Sequence, residues 1–316
     1  MHESRVVVTG IGLIGPLGAT AAECAEGWRA GRCAETVCLP DLAGTCLAHE
    51  RVGRLPPFDA AARLGGRRML KFMSEAAVLG CLAAREALTA ARARERFAPE
   101  TIGLYAATGL AAAGVNDVRP MIEQSIDEAG HFSCKLMGER GLAATNPLLS
   151  FRILANMPAC LVSVLEGIKG PNLIFTPWEG QAGAALVEGW QAVADGEVAC
   201  ALVGAADTAA APSTFAYLRQ SGRLNADEYP SSGAAYLLLE RAATARRDQV
   251  PALAAIRDLR IEPADRVVDP LASRMGRLFA AAPPTLLGLA CLCAWPAFSI
   301  AGVDGQALMA ELEPAV

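Results

Sequence analysis

The sequence has no surplus of positive charge, few charged residues and few aromatic ones. Its 316 residues include 28 Lys and Arg against 33 Asp and Glu, which gives a formal net charge of -5. Nucleic-acid-binding proteins carry a basic patch or stripe, so this balance argues against that class. Hydrophobic residues make up 53% of the chain and charged residues 19%. Disordered chains have the opposite composition, and we therefore predict a folded protein with a sizeable core.

The ten cysteines show no spacing typical of a metal site or a redox motif. No CxxC pair occurs, and the two closest cysteines, Cys291 and Cys293, are too near each other for a zinc loop. The chain is also far longer than small disulfide-stabilised scaffolds. We predict reduced, mostly buried thiols in a cytoplasmic protein that binds no metal ion.

Histidine is scarce, and its distribution limits the possible chemistry. The three histidines are His2, His49 and His131, so the second half of the chain has none. A Ser-His-Asp or Cys-His enzyme needs a histidine that can reach its nucleophile, and no such arrangement is apparent. A GxGxxG pattern occurs at residues 10–15, but Pro16 follows it and no helix opens there. We interpret it as a structural turn and predict no cofactor.

The longest uncharged run, residues 278–303, is long enough to span a bilayer. Pro283, Pro284 and Pro296 interrupt it, however, and it is rich in Ala and Gly. We interpret the run as a buried helix followed by a strand, and predict no membrane association.

Short apolar runs alternate with stretches of helical periodicity along most of the chain. This alternation predicts an α/β protein with βαβ units and a largely parallel sheet. Because the runs are apolar throughout, helices are expected to cover both faces of the sheet. The predicted strands are residues 5–9, 102–107, 173–176, 199–203, 234–240, 253–261 and 298–300.

Four segments resemble the β-ketoacyl synthases, the condensing enzymes of fatty-acid and polyketide synthesis. The resemblance implies a thiolase-like layered α-β-α-β-α fold with a truncated second half. Residues 1–245 correspond to the first half of the family, and residues 246–316 to a shortened second half packed on it as one integrated unit. The matching segments are VVVTGIGLIGPLG at 6–18, NMPA at 156–159 with GIKGPN at 167–172, ALVGAAD at 201–207, and GAAYLLLE at 233–240.

The residues that carry the family's chemistry are missing. The family has a cysteine nucleophile at a helix N-terminus, where the helix dipole stabilises the thiolate. Counting back from Gly196 without a gap places Glu179 there, and a gap of two places Gln181, within a QAG sequence similar to that of chain-length factors. The family's first catalytic histidine, in a His-Gly-Thr motif, has no counterpart, and Leu289 stands at the position that resembles the second.

The resemblance therefore implies a chain that is not an enzyme by itself. It is similar to chain-length factors, the silent subunits that heterodimerise with an active ketosynthase, shape its acyl tunnel and meet an acyl carrier protein through the complex. An edge strand beside the nucleophile helix is expected to pair with the partner. The candidate tunnel and interface residues are Val115, Met121, Ile122, Ile126, Phe132, Met137, Leu173, Phe175 and Trp178. Simple packing in the dimer core would require the same apolar residues in the region 110–137.

Two alternatives stay open on the sequence. One is a degenerate homodimer that binds an acyl group or a carrier protein as a scaffold. The other is a hydrolase-like enzyme in which Glu179 acts as general acid or base, with Trp178 desolvating its carboxyl group and raising its pKa.

Overall fold

The computed structural model describes residues 5–110, 115–208 and 212–314. The strands are β1 (Val6–Ile14), β2 (Thr36–Cys38), β3 (Arg51–Gly53), β4 (Ile102–Thr108), β5 (Asn172–Phe175), β6 (Cys200–Thr208), β7 (Ser232–Arg241), β8 (Ala254–Pro263), β9 (Ala297–Ala301) and β10 (Gln306–Pro314). The α-helices are α1 (Ala21–Arg29), α2 (Ala60–Leu64), α3 (Glu75–Ala90), α4 (Ala93–Arg96), α5 (Val115–Glu123), α6 (Cys134–Leu136), α7 (Leu149–Ile153), α8 (Met157–Glu166), α9 (Glu179–Asp195), α10 (Pro212–Gln220), α11 (Ala242–Arg247), α12 (Ala272–Met275) and α13 (Ala282–Leu292).

Eight strands form one mixed sheet in the order β5-β4-β6-β7-β1-β8-β10-β9. Two of its strand pairs are parallel, β4 with β5 and β4 with β6, and the other described pairs in the sheet are antiparallel. The sequence-based expectation of a largely parallel sheet was therefore wrong. In the second half the short turn at residues 302–305 joins β9 to β10, which forces these strands to run antiparallel.

The sheet is divided into two parts at β1. This strand pairs with β7 along nearly its whole length but with β8 only over residues 6–8. Helix α9 contacts β4 and β6 on one side and β8 and β10 on the other, so it lies between the two parts. Glycines allow this close approach: a Cβ at Gly183 would lie 2.7 Å from the Ile261 side chain, and one at Gly189 would lie 2.2 Å from that of Val203.

Both faces of the first part of the sheet are covered. Alternate residues of β7 fall into different apolar clusters: Leu237 and Leu239 pack towards α13, and Tyr236 and Leu238 pack towards α3. The uncharged run at residues 278–303 forms the buried α13 and the strand β9, as predicted. Among the helices described, none is long and apolar enough to cross a membrane.

The second half is short and has one charged face. Its strands β8, β10 and β9 bury one set of side chains in the core shared with α9 and α13. On the other face Arg260 pairs with Asp258 and Glu262, and Arg257 pairs with Glu311. Charged side chains paired in this way are typical of a sheet face that is exposed to water. Two sheet parts that enclose shared helices are the arrangement expected from the resemblance, with the truncation in the second half.

Candidate functional site

Glu179 occupies the first turn of the central helix α9. The strand β5 ends at Phe175, and Trp178 precedes the helix with a φ of 65°, a value that side-chain-bearing residues rarely adopt. Glu179 is the first residue of the helix and is 1% exposed. The structure thus brings Glu179, rather than Gln181, to the strand-helix junction. Gln181 lies two residues further along and is partly exposed.

Both carboxylate oxygens of Glu179 are engaged by residues of the second half. Arg277 donates a hydrogen bond from Nη2 to Oε1 at 2.6 Å, and the backbone N–H of Val303 donates to Oε2 at 3.3 Å. The next residue of the helix, Gly180, donates its N–H to Oδ1 of Asp304 at 3.3 Å. The helix start is therefore held against two separate segments of the shortened half.

Arg277 is the centre of a buried ion cluster, which we call the Arg277 cluster. Its side chain is 1% exposed, and its three nitrogens face three carboxylates: Glu179 at 2.6 Å, Glu228 at 3.1 Å and Asp269 at 3.1 Å. Asp269 is also almost fully buried, whereas Glu228 is partly exposed. In the part of the chain that the structure describes, none of these carboxylates has a second cationic partner. With all four groups ionised, the cluster would carry a net charge of -2.

Burial raises the pKa values of three acids at and near this site, Glu179, Asp269 and Asp207. Burial raises the pKa of Glu179, and the charge of Arg277 opposes that rise without cancelling it. Burial raises the pKa of Asp269 to about 6, again opposed by Arg277. Asp207, at the end of β6, is buried too, and its pKa rises to about 7 although the N–H groups of Ala280 and Thr208 hydrogen-bond to it. Protons are thus retained near this site close to neutral pH.

Aromatic side chains close the space next to the cluster. The Trp178 ring stacks on Tyr217, with ring centroids 6.4 Å apart, and meets Phe279 edge-on at 6.0 Å. The guanidinium of Arg223 lies over the Trp178 ring at 5.3 Å. A polar pocket of about 270 Å³ remains beside them, and Arg277 and Asp269 line it. Trp178 therefore belongs to a cluster of aromatic side chains beside this pocket.

Leu289 lies elsewhere. It is buried in the middle of α13, in the apolar cluster formed with β1, β7 and the strands of the second half. The side chain of the second half that hydrogen-bonds to Glu179 is that of Arg277, which follows Gly276. Among the residues described, no group of three or more His, Cys, Asp or Glu side chains is arranged to hold a metal ion.

The six candidate tunnel residues from Val115 to Met137 lie on one segment of the chain, residues 115–141. Phe132 and Ile122 are exposed, and Met121, Ile126 and Met137 are half-buried. Ile126 and Phe132 are joined by an isolated antiparallel β-bridge, so this segment folds back on itself. The backbone of Val115 begins α5, but its side chain lies outside the described residues, and residues 111–114 lie outside them entirely.

The candidate interface strand β5 is at one end of the sheet. It pairs with β4 on one side, and in the described structure no strand pairs with its other edge. Leu173 is 46% exposed there, whereas Phe175 is partly buried against the alanines that line α9. Of the eleven large apolar side chains that are most exposed, seven lie on β5 or on residues 115–166. They are Ile122, Phe132, Leu142, Phe151, Leu154, Val164 and Leu173.

Comparison with solved structures identifies the fold. One match is the complex AntDE:AntF, described as a type II PKS acyl-carrier protein in complex with its ketosynthase bound to the hexaketide, with 17% identity, a TM-score of 0.78 and 100% coverage of both chains. Another is the ishigamide ketosynthase/chain length factor, with 18% identity, a TM-score of 0.77 and coverage of 99% of this chain and 100% of that one. A β-ketoacyl synthase from Burkholderia phymatum matches with 19% identity and a TM-score of 0.66, over 84% of this chain and 66% of its own.

The fold is therefore thiolase-like, as the resemblance implied, and in the first two matches the similarity extends over the whole of the other chain. A search of curated proteins gave no significant match. The family model for the N-terminal domain of β-ketoacyl synthases matches residues 3–244, about three quarters of the sequence. The chain accordingly belongs to the β-ketoacyl synthase family.

Proposed function

We propose that the chain is a non-catalytic, chain-length-factor-like partner. It would heterodimerise with an active β-ketoacyl-carrier-protein synthase of a type II polyketide, polyene or fatty-acid-like system and shape its acyl tunnel. One observation carries the proposal: at the start of α9, where the family has its nucleophile, Glu179 is buried and hydrogen-bonded to Arg277 at 2.6 Å. A carboxylate in that environment cannot form the acyl thioester.

The surroundings of Glu179 also argue against condensing chemistry. An oxyanion intermediate needs donors that are free to bind it. Each nitrogen of Arg277 already faces a carboxylate, and the last histidine of the sequence is His131. We therefore propose that the site is vestigial and that the chain does not catalyse condensation alone.

The contacts of Glu179 favour another position for the vestigial second histidine. The family pattern is a Gly-His pair in the second half, and the resemblance in sequence places it at Gly288-Leu289. The pair Gly276-Arg277 contacts Glu179 directly, whereas Leu289 is packed in the apolar core. We propose that Arg277 occupies the vestigial histidine position.

The exposed edge of β5 supports a partner of similar fold. Unpaired backbone groups at a sheet edge favour the addition of another strand, and the exposed apolar residues around β5 would be buried by it. A second copy of the chain offers the same edge, so a homodimeric scaffold is the competing arrangement. The hydrolase alternative is disfavoured, because both oxygens of Glu179 are engaged by Arg277 and Val303.

The test is co-expression with a ketosynthase encoded beside this chain, with an affinity tag on one subunit only. We expect a one-to-one complex whose mass equals the 32.8 kDa of this chain plus that of the ketosynthase. Within the complex, acyl transfer from a carrier protein should load the ketosynthase and leave this chain unlabelled. A stable homodimer that does not bind the ketosynthase would contradict the proposal.

We expect the heterodimer with the ketosynthase to act in the cytoplasm.

A further inference from the structure

The polar pocket beside the Arg277 cluster has a volume of about 270 Å³ and no role in the proposed function. Pockets for drug-sized molecules have about 300–1,000 Å³, so this one suits a small ligand. Its charged lining residues, among those described, are Arg223, Glu228, Asp269 and Arg277. Two positive and two negative side chains leave this lining without net charge, so it favours neither a simple cation nor a simple anion.

The guanidinium of Arg223 is oriented by aromatic rings. It lies 5.3 Å from the centre of the Trp178 ring and 5.7 Å from that of Tyr217, and these two rings stack on each other. Its Nε is buried and has no hydrogen-bond partner among the described residues. The two acids of the pocket pair with Arg277 instead. An arginine that is held in this way is ready to bind the carboxylate of a ligand.

Asp269 offers a group of the opposite charge in the same pocket. Its side chain is 2% exposed, and Oδ1 accepts a hydrogen bond from the backbone N–H of Leu271 at 2.9 Å. The other oxygen, Oδ2, lies 3.1 Å from Nε of Arg277 but accepts no hydrogen bond from any described residue. A buried carboxylate oxygen without a donor is costly. An ammonium group in the pocket would supply both a donor and a positive charge.

The surrounding charges select a ligand that carries both signs. Glu179 is a third carboxylate on Arg277, so a ligand that is only an anion would add to an existing excess of negative charge. A ligand that is only a cation would leave the guanidinium of Arg223 without a partner. We propose that the pocket binds a small zwitterionic amino acid, whose carboxylate pairs with Arg223 and whose ammonium group donates to Oδ2 of Asp269. This inference goes beyond the proposed function and requires no acyl group or carrier protein.

The test is calorimetric titration of the full chain, used as the heterodimer where that complex forms. The ligands are L-alanine, β-alanine and 4-aminobutyrate, in which one, two and three carbon atoms separate the amino group from the carboxylate. Propionate and ethylamine serve for comparison, because each lacks one of the two charged groups of L-alanine and β-alanine. We expect at least one amino acid to bind about tenfold or more tightly than either, since each charged group contributes its own hydrogen bond.

Substitutions test the two charged groups separately. Arg223→Gln should weaken binding of the amino acid by about tenfold or more, because it removes the charge that pairs with the carboxylate. Arg274→Gln is the matched control: Arg274 also lies on a tryptophan ring, 4.6 Å from the centre of that of Trp28, but does not line the pocket. Asp269→Asn should narrow the preference for the amino acid over propionate. Thermal unfolding in parallel shows which variants are folded, and if Asp269→Asn does not fold, the comparison of Arg223→Gln with Arg274→Gln decides.

Each outcome supports or refutes the amino-acid site. Binding of an amino acid that is weakened in Arg223→Gln and unchanged in Arg274→Gln supports the inference. If none of the three amino acids binds more tightly than propionate and ethylamine, or if Arg223→Gln binds them as the wild type does, the inference is refuted. These titrations involve neither acyl transfer nor a carrier protein, so the proposed function stands or fails independently of them.

Discussion

The Arg277 cluster predicts that substitutions of Arg277 and Glu179 have unequal effects on stability, although the two side chains hydrogen-bond to each other. Replacing Arg277 with Met removes the only cation paired with Glu179 and Asp269, both of which are almost fully buried. Removing one partner of a buried ion pair typically costs about 3–5 kcal/mol, because the remaining charge is left uncompensated. We therefore expect Arg277→Met to lower the free energy of unfolding by at least about 3 kcal/mol near pH 8.

Glu179→Gln should behave differently, although it breaks the shortest contact of the cluster. The amide keeps the shape of the side chain and one oxygen that accepts a hydrogen bond from Arg277 or Val303. Two carboxylates, Asp269 and Glu228, still neutralise Arg277, and the net charge of the fully ionised cluster falls from -2 to -1. The loss of a charged hydrogen bond is thus offset by weaker repulsion, and we expect a change of no more than about 1 kcal/mol.

Equilibrium unfolding in urea at pH 6 and pH 8, followed by fluorescence, measures both effects. The double variant Arg277→Met/Glu179→Gln should recover part of the stability lost in Arg277→Met, since one of the two buried charges is gone. The reasoning is refuted if Glu179→Gln is as destabilising as Arg277→Met. That result would mean that the Glu179–Arg277 pair stabilises the fold and that the excess of carboxylates around Arg277 has no effect on the free energy of unfolding.

Three further predictions concern the edge strand, a buried acid and a glycine that packs against this acid. Leu173→Glu on β5 should abolish the heterodimer seen by sizing while leaving the monomer folded, whereas Leu253→Glu, at a 39% exposed position away from β5, should leave the complex intact. Asp207 has a folded-state pKa of about 7 against its usual 3.8, so the folded protein binds this proton more tightly than the unfolded chain does. The resulting contribution to stability is complete below about pH 4 and is lost as the pH rises to about 7. This difference corresponds to about 4 kcal/mol, and Asp207→Asn should flatten the pH dependence of unfolding over that range; an unchanged slope would exclude Asp207 as its source. Gly109→Ala should cost about 1–3 kcal/mol, because its Cβ would meet the Asp207 carboxylate, whereas Gly138→Ala, with open space around it, should be neutral in the same thermal or urea assay.

Local sequence signals predicted the existence of the main elements better than their limits. Apolar residues recur at helical spacing over residues 67–95, which predicts a helix there. The helix α3 lies within this range but begins only at Glu75, because the Ser74 hydroxyl accepts a hydrogen bond from Ala77 N and caps it. Residues 116–140 are polar and helix-prone, but the helix α5 ends at Glu123. There the Asp127 side chain accepts hydrogen bonds from the N–H groups of Ala129 and His131 and forms a turn. In both cases a side chain that hydrogen-bonds to the backbone overrides the helical tendency of the surrounding sequence.

The candidate site was only half predictable. Counting back from Gly196, the left-handed residue that ends α9, leads to the first turn of the helix but leaves Glu179 and Gln181 as alternatives. Arg277 could not be located in this way, since it lies 98 residues from Glu179 and its three carboxylate partners come from three different segments. A charged residue between the positive-φ Gly276 and an apolar run is a weak signal, and it does not reveal which acids surround it.

The persistence of a buried ion cluster at a site with no proposed chemistry calls for a physical reason. Burying several charges is costly, and well-packed apolar side chains of similar volume would often be at least as stable. The cluster joins Glu179 and Glu228, from residues before β8, to Asp269 and Arg277, from residues after it. The second half buries many apolar side chains in the core that it shares with α9, but apolar burial is non-directional, and the outer face of its sheet is charged. Directional ion pairs specify one relative position where apolar contacts would allow several. We therefore expect the Arg277 cluster to have a structural role, in which it holds the second half in one position against α9.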